Sequence, residues 1–226
     1  MKGIAGAIAF LTRIPIKTDV NPANAVGDFP VVGYMAGGIY ILLFWILGRS
    51  LPVIVLSIFL VYFLFNAFHF DGLLDTTDAF MSQKQREKKL EIMKMGNSGP
   101  MAILVGALYM ILMTYVLGRV SFVGILASTV SGRYAMVLTA YFSKPAKSGL
   151  GASIFPVRLK TLIHASVYLV PFLFFPRTLL FIGIGLVAAF AMKLISDRMI
   201  GGMTGDVLGS IEEIAQIVVL TTCQLR

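Results

Sequence analysis

Three aspartates at helical spacing are the most chemically informative residues of this sequence. Asp71, Asp75 and Asp78 follow a long apolar run and lie four and three residues apart, so a helix would present them on one face. Carboxylates this close repel one another unless a cation lies between them, and no Lys or Arg lies between His69 and Lys84. Oxygen ligands suit a hard divalent ion. The pattern therefore predicts a metal site with Mg²⁺ as the ion; the alternative is a solvated acidic face.

A second acidic cluster lies in the glycine-rich segment at residues 201–210, which leads into Glu212 and Glu213. Asp206 and Glu213 are seven residues apart and would share a face of a continuous helix. Glycines let the backbone approach a phosphate closely. Two acidic clusters of this kind predict a shared metal or diphosphate site. The residues predicted to hold a ligand in this segment are Gly202, Thr204 and Gly205.

Three further polar residues are candidates for the same site. His69 adjoins the first acidic cluster and is interpreted as a general base or a neighbour of the metal. Arg133 lies inside an apolar run, where an unpaired guanidinium is costly, and is predicted to pair with a carboxylate or a phosphate. Lys94 ends a charged stretch that begins at Lys84, for which a solvated amphipathic helix is the alternative interpretation.

The composition identifies the elements that must position these residues. Of the 226 residues, 58% are hydrophobic and only 13% are charged, and the mean hydropathy is +0.87. A soluble domain has about a quarter of its residues charged. The sequence therefore predicts a polytopic membrane protein. The net charge of +8 comes without a basic and aromatic stripe, so no nucleic-acid partner is expected, and the single Cys223 excludes a cysteine-based metal site.

Apolar runs of membrane-spanning length predict an all-α bundle of about seven spans, since a crossing helix needs about 20 apolar residues. Tight breaks at residues 49–50, at 119 and at 176–177 are typical of hairpin turns between antiparallel helices. Residues 1–28 precede the first run and are interpreted as an interfacial N-terminal segment. The predicted spans are Val31–Gly48, Leu51–Phe70, Pro100–Gly118, Val120–Phe142, Thr161–Phe175, Thr178–Ile195 and Ile211–Leu225.

The distribution of charge predicts the orientation in the membrane. The long polar segments carry most of the Lys and Arg residues and would all lie on one side, which the positive-inside rule places in the cytoplasm. All 11 Asp and Glu residues lie on or near the same side. This segregation predicts one site at the cytoplasmic face; the alternative is that acids simply follow loop length. The basic residues left outside are Arg49, Arg119, Arg177 and Arg226.

Three motifs, taken in order, resemble the cobalamin synthase family of adenosylcobinamide-GDP ribazoletransferases. They are His-Phe-Asp-Gly-Leu-Leu-Asp-Thr-Thr-Asp at 69–78, Leu-Glu-Ile-Met-Lys at 90–94 and Gly-Gly-Met-Thr-Gly-Asp-Val-Leu-Gly at 201–209. The segments at 11–15, 29–33 and 149–151 are similar as well. Two positions depart from the family pattern: Met95-Gly96 replace the usual Asp-Ser, and Gln216 stands where a second Glu is common.

The resemblance implies a single membrane-embedded transferase domain over residues 1–226, in the cell membrane, acting late in cobalamin (vitamin B12) biosynthesis. It would be a Mg²⁺-dependent phosphotransferase that joins adenosylcobinamide-GDP to α-ribazole or α-ribazole 5′-phosphate and releases GMP. Asp71, Asp75 and Asp78 would be Mg²⁺ ligands, with Asp206 and Glu213 completing the site. One of the aspartates or His69 would deprotonate the attacking hydroxyl, and Arg133 or Lys94 would hold a phosphate oxygen.

Two other functions are alternatives to this interpretation. An enzyme like the CDP-alcohol phosphatidyltransferases also uses a Mg²⁺-binding aspartate helix, but its motif has Ala-Arg where Leu73-Leu74 follow Gly72 here. A secondary transporter would use carboxylates as an ion relay near the middle of the bilayer, whereas these acids cluster at one face.

Overall fold

The computed structural model describes residues 2–224, and within them the chain forms helices and no strand, which confirms the predicted all-α fold. Short 3-10 turns cover Val26–Asp28, Leu150–Ile154 and Val170–Phe174, and one π-helical turn covers Tyr62–Asn66. The α-helices are α1 (Lys2–Leu11), α2 (Pro22–Ala25), α3 (Phe29–Leu47), α4 (Leu51–Val61), α5 (Ala67–Met81), α6 (Arg86–Ile92), α7 (Pro100–Leu117), α8 (Phe122–Tyr141), α9 (Leu159–Val167), α10 (Pro176–Ile200) and α11 (Gly205–Gln224).

Within residues 2–224, five stretches of helix are long and apolar enough to cross a membrane, so the protein is a helical membrane bundle. The predicted count of about seven spans is not confirmed. Helix α11 has 20 residues but carries three acids. Its predicted span ends at Leu225, which lies outside the described residues, as does Arg226, which is predicted to lie outside the cell. The five stretches are Pro22–Leu47, Leu51–Met81, Pro100–Leu117, Phe122–Tyr141 and Pro176–Ile200.

The predicted span over 161–175 is not one helix. Helix α9 has nine residues, about 14 Å of rise, and a 3-10 turn at Val170–Phe174 follows it. Pro171 lies in that turn and cannot donate the backbone hydrogen bond that would continue an α-helix. The break leaves two short helical segments where one span is predicted.

Helices α8 and α11 form the centre of the bundle. Helix α11 packs against α5, α8 and α10, and α8 packs against α3 on its other side. Small residues let these helices approach closely: a Cβ on Gly132 of α8 would lie 3.0 Å from the Glu212 carbonyl oxygen of α11. Most residues of the two central helices are buried, whereas only a minority of the residues of α7 and α10 are.

Helices α4 and α5 form one rod of 31 residues, about 46 Å long, which exceeds the roughly 30 Å hydrocarbon core. The predicted boundary at Phe70 is therefore only the end of the apolar part. Asp71, Asp75 and Asp78 lie in the last third of the rod, beyond the π-helical turn at Tyr62–Asn66. The rod carries the predicted acidic face from the membrane to one end of the bundle.

Candidate active site

A cavity of about 640 Å³ lies at the amino-terminal end of α11. Its walls come from the end of α1, from α5, from the segment at 147–152 and from the start of α11. The structure thus brings together residues that lie far apart in the sequence. The predicted site residues that line the cavity are His69, Asp71, Lys94, Thr204, Gly205 and Asp206.

The acidic part of the site joins α5 to α11. Asp71 is exposed at the cavity, and Asp75 is half-buried one turn further along α5. The Asp75 carboxylate interacts electrostatically with the carboxylates of Asp71, Asp206 and Asp78 and with the ammonium group of Lys147. Among residues 2–224, no group of three or more His, Cys, Asp or Glu side chains is gathered closely enough to enclose a metal ion by itself. A Mg²⁺ ion usually takes one or two carboxylates together with substrate phosphates and water, so the donor set fits a metal shared with a diphosphate.

Two lysines place positive charge opposite these carboxylates. The Lys147 Nζ lies 3.4 Å from the Asp206 Oδ2, and Lys94 lines the same cavity. The sequence placed Lys147 on the cytoplasmic side but did not identify it as a site residue. Its only signal was its place two residues before the Gly149-Leu-Gly151 segment, within a long polar stretch.

The amino-terminal end of α11 opens into the cavity through Thr204 and Gly205. The Thr204 Oγ1 accepts a hydrogen bond of 3.2 Å from the Val207 N–H, which caps the helix. The first N–H groups of a helix have no intrahelical partner and, with the helix dipole, favour an anion. A Cβ on Gly151 would lie 2.5 Å from the Gly205 nitrogen, so only glycine lets the opposite wall approach this end. The arrangement suits a phosphate group.

Gly202 has a structural role that differs from its prediction. It is buried and absent from the cavity lining, and a Cβ at this position would lie 2.5 Å from the Lys144 carbonyl oxygen. The next residue, Met203, donates from its N–H to the Lys144 carbonyl at 2.9 Å and accepts from the Ala146 N–H at 2.8 Å. The absence of a side chain at Gly202 therefore lets the backbone of the segment leading to Lys147 approach closely, and it does not make room for a phosphate.

Asp78 also differs from its prediction as a metal ligand. Its Oδ1 accepts a hydrogen bond of 3.0 Å from the Ala102 N–H, and its Oδ2 accepts one from the Gly99 N–H. These groups begin α7, so both carboxylate oxygens cap that helix. The two ends of the acidic face of α5 therefore have different roles: Asp71 lines the cavity, and Asp78 holds α7 against α5.

Arg133 is completely buried in the centre of the bundle and does not line the cavity. Its Nη1 lies 2.5 Å from the Glu212 Oε1 and donates to the Gln216 Oε1 at 3.0 Å, while its Nη2 donates to the Asn66 Oδ1 at 2.6 Å. Of the two predicted partners, a carboxylate and a phosphate, the structure shows the carboxylate. Contact of Arg133 with a substrate in the cavity is not supported.

Glu213 belongs to the same buried network and differs from its prediction as a metal ligand. Its Oε2 accepts hydrogen bonds from the Tyr62 hydroxyl at 2.7 Å and from the Tyr109 hydroxyl, and its Oε1 accepts from the Asn66 Nδ2 at 2.9 Å. It lies about 10 Å along α11 from Asp206. The shared helical face does not bring the two acids to one site, because α11 runs from the cavity into the core.

His69 lies between the cavity and this network. The side chain is buried apart from its edge at the cavity, and its Nδ1 is 3.4 Å from the Glu212 Oε2. The predicted position of His69 next to the acidic cluster agrees with the structure. The sequence did not predict that His69 lies close to Glu212. The only indication was the pair of adjacent acids Glu212 and Glu213 in an apolar stretch.

The charged stretch before Lys94 forms the solvated helix α6. The Lys88 Nζ donates a 2.7 Å hydrogen bond to the Glu91 Oε2. This hydrogen bond and the positive charge of Lys88 lower the pKa of Glu91. Burial lowers the pKa of Lys89, whose Nζ donates to the Ala79 carbonyl at 3.0 Å. Arg86 donates from Nε to the Ile200 carbonyl at 2.7 Å. These contacts fasten α6 to α5 and α10, and so set the position of the adjoining cavity residue Lys94.

Comparison with known proteins gives a consistent result over almost the whole chain. The family model for cobalamin-5-phosphate synthase matches residues 3–224. The chain is 38% identical to the adenosylcobinamide-GDP ribazoletransferase of Fervidobacterium nodosum, over 97% of this chain and 95% of that protein. It is 39% identical to the protein of the same name from Thermosipho melanesiensis over 90% of each chain, and 32% identical to that of Thermococcus kodakarensis over 92% of each. No solved structure matches the chain.

Proposed function

Since the chain belongs to the cobalamin-5-phosphate synthase family and is a transferase of cobalamin synthesis, we propose that the cavity at the start of α11 is where its reaction takes place. In this reaction adenosylcobinamide-GDP is joined to α-ribazole or to α-ribazole 5′-phosphate. A ribose hydroxyl oxygen forms a bond to the phosphorus on the cobinamide side of the diphosphate. The bond from that phosphorus to the oxygen of GMP breaks, and GMP leaves.

The single observation that carries this proposal is the meeting of opposite charges at one cavity. Asp71 and Asp206 lie beside the amino-terminal end of α11, with Lys94 and Lys147 on the surrounding walls. Phosphoryl transfer depends on positioning and on neutralising charge more than on covalent chemistry. A diphosphate needs both kinds of partner: cationic and N–H groups for its oxygens, and carboxylates for an accompanying metal ion.

We propose that Asp71 and Asp206, the two carboxylates that line the cavity, hold Mg²⁺ together with the diphosphate, and that Asp75, one turn along α5, supports the ion through a bound water. The bound ion would neutralise charge on the phosphate oxygens. The N–H groups of Gly205 and Asp206 bind a phosphate oxygen, and Lys94 and Lys147 hold the others. His69 or one of the aspartates accepts the proton of the attacking hydroxyl. Asp78, Glu213 and Arg133 position the helices that carry these groups.

We also propose that the chain crosses the membrane seven times with the cavity facing the cytoplasm. Lys144 follows α8 and Met203 follows α10, and their backbone pairing supports placing the ends of these two helices on one side. The chain between them must then cross back, and α9 with the turn at Val170–Phe174 is the only segment available among the described residues. Helix α11 is the last crossing. The positive-inside rule supports placing Lys94 and Lys147 in the cytoplasm.

The experiment that tests the proposed reaction uses purified protein in detergent with adenosylcobinamide-GDP and α-ribazole. Released GMP and the corrinoid product are both followed, with and without a chelator. Equal amounts of GMP and joined product, both lost on chelation and restored by Mg²⁺, are expected. Release of GMP without a joined product would point to hydrolysis or another acceptor. Activity that persists after complete chelation would contradict the metal assignment.

A further inference from the structure

A second cavity lies on the outer surface of the bundle and adjoins the candidate active site, since Phe68, whose ring the Arg13 guanidinium faces, lines that site. This groove has a volume of about 500 Å³ and runs between the α4–α5 rod and α7. Its lining is apolar except for Arg13, Tyr62 and Thr114. On the rod it extends from Val55 to Phe70, about 22 Å of helix, all within the stretch apolar enough to cross the membrane. The groove therefore faces the region where lipid chains lie.

Arg13 is the one charged residue of this groove. Its side chain is exposed, with the guanidinium 5.3 Å from the centre of the Phe63 ring and 5.6 Å from that of Phe68. It makes no ion pair with any Asp or Glu of residues 2–224. Two aromatic rings give a guanidinium only partial compensation beside a membrane. Within residues 2–224 the guanidinium therefore has no protein carboxylate as a partner.

The fold holds Arg13 in this place through the backbone. The Arg13 N–H donates a 2.9 Å hydrogen bond to the carbonyl of Leu64, which lies in the π-helical turn of the rod. The preceding residue, Thr12, is buried, and its hydroxyl donates to the Ile8 carbonyl at 2.7 Å. The cation is therefore fixed at the rim of the groove and is not carried on a free chain end. Phe68 lies only one turn before Asp71, so this rim is at the same end of the rod as the acidic face.

We propose that the groove binds an anionic glycerophospholipid of the bilayer, with one acyl chain along the rod and the phosphate on Arg13. Charge complementarity favours an anionic lipid, because a planar guanidinium binds a phosphate through two parallel hydrogen bonds. No Asp or Glu of the described residues pairs with Arg13. The length and apolar lining suit an acyl chain. The proposal does not depend on the transferase reaction.

The groove also adjoins the buried polar network. Tyr62 lines the groove, and its hydroxyl donates to the Glu213 Oε2. A chain seated in the groove would cover the Tyr62 ring and hold it in place against Glu213. Bound lipid is therefore expected to raise the temperature of unfolding as well as to remain attached to the purified protein.

The test compares delipidated protein in detergent with added phosphatidylglycerol or phosphatidylcholine, by native mass spectrometry and by thermal unfolding. We expect one phosphatidylglycerol to bind with about fivefold preference over phosphatidylcholine. Arg13→Gln should abolish that preference, and Ala67→Leu, which fills the groove, should weaken both lipids. The matched control is Lys17→Gln, an exposed cation of the same N-terminal segment that does not line the groove.

Three outcomes would overturn the proposal. Equal binding of the two lipids to the unaltered protein would remove the role of charge. Undiminished preference in a folded Arg13→Gln variant would place the anionic lipid elsewhere. Displacement of the lipid by soluble glycerol phosphate or by adenosylcobinamide-GDP would assign Arg13 to a soluble ligand. If Arg13→Gln does not fold, Ala67→Leu decides alone, since unchanged lipid binding in that variant would exclude the groove.

Discussion

Gly72 on α5 lies directly against the backbone of Asp206 on α11: a Cβ at Gly72 would come within 2.5 Å of the Asp206 carbonyl oxygen. One turn away the relationship is reversed, since a Cβ on Gly209 of α11 would lie 2.8 Å from the Cα of His69 on α5. Each helix thus has a glycine in contact with the backbone of the other helix. This close crossing is what brings the acidic face of α5 to the amino-terminal end of α11.

Enlarging Gly72 should disrupt the site without touching a charged group. Gly72→Ala forces α5 and α11 apart, and overpacking of this kind costs about 1–3 kcal/mol of stability. We expect turnover to fall at least about tenfold, since the carboxylates of the two helices separate. Gly183→Ala is the control, because a Cβ there meets no atom within 4 Å. Full activity of Gly72→Ala would show that the spacing of the two helices is not limiting.

Removing one carboxylate of the proposed metal set should abolish the reaction. Asp71→Asn and Asp75→Asn are expected to lose GMP release while keeping the helical content and thermal stability of the unaltered protein. Asp19→Asn, an exposed acid of the N-terminal segment, should behave normally. Near-normal turnover in both site variants, measured at saturating Mg²⁺, would exclude this pair from the metal site.

Asp78 should respond as a helix cap. Asp78→Asn keeps an acceptor oxygen, whereas Asp78→Ala leaves the start of α7 uncapped and should cost about 1 kcal/mol of stability. The Mg²⁺ concentration that gives half-maximal activity should not change in either variant. A large increase in that concentration with unchanged thermal unfolding would instead place Asp78 among the metal ligands.

Breaking the buried ion pair should destabilise the core. Arg133→Met leaves the buried Glu212 carboxylate without its arginine partner and is expected to lower the free energy of unfolding by about 3–5 kcal/mol. The double variant with Glu212→Gln should recover part of that loss, because the two residues are in contact. Arg119→Met, on an exposed side chain, is the control. Additive losses in the double variant would show that the pair does not contribute as a unit.

The proposed topology predicts which thiols a membrane-impermeant reagent can reach in intact cells. In a Cys223→Ser background, Lys84→Cys should be labelled only after the membrane is opened, and Arg177→Cys should be labelled directly. Labelling of the two positions on the same side would remove the crossing formed by α9 and the turn after it. The reverse pattern would keep seven crossings but invert the orientation.

Much of this protein was predictable from local patterns. The apolar runs indicated membrane helices, because about 20 apolar residues in sequence are enough to span a bilayer. The spacing of Asp71 and Asp75 placed them on one helical face, since that depends only on the 3.6-residue turn. The family motifs at 69–78 and 201–209 indicated the transferase. Each of these signals lies within a single stretch of chain.

The tertiary structure decided what each helical face meets. Asp78 and Glu213 have the right type and spacing for ligands, but Asp78 faces the start of α7 and Glu213 faces two tyrosines. Lys147 gave little signal until the backbone pairing near Lys144 brought it beside Asp206. Helical periodicity determines which residues share a face. Which partner covers that face depends on packing between helices far apart in sequence, and small residues such as Gly72 become informative only when the opposing backbone is known.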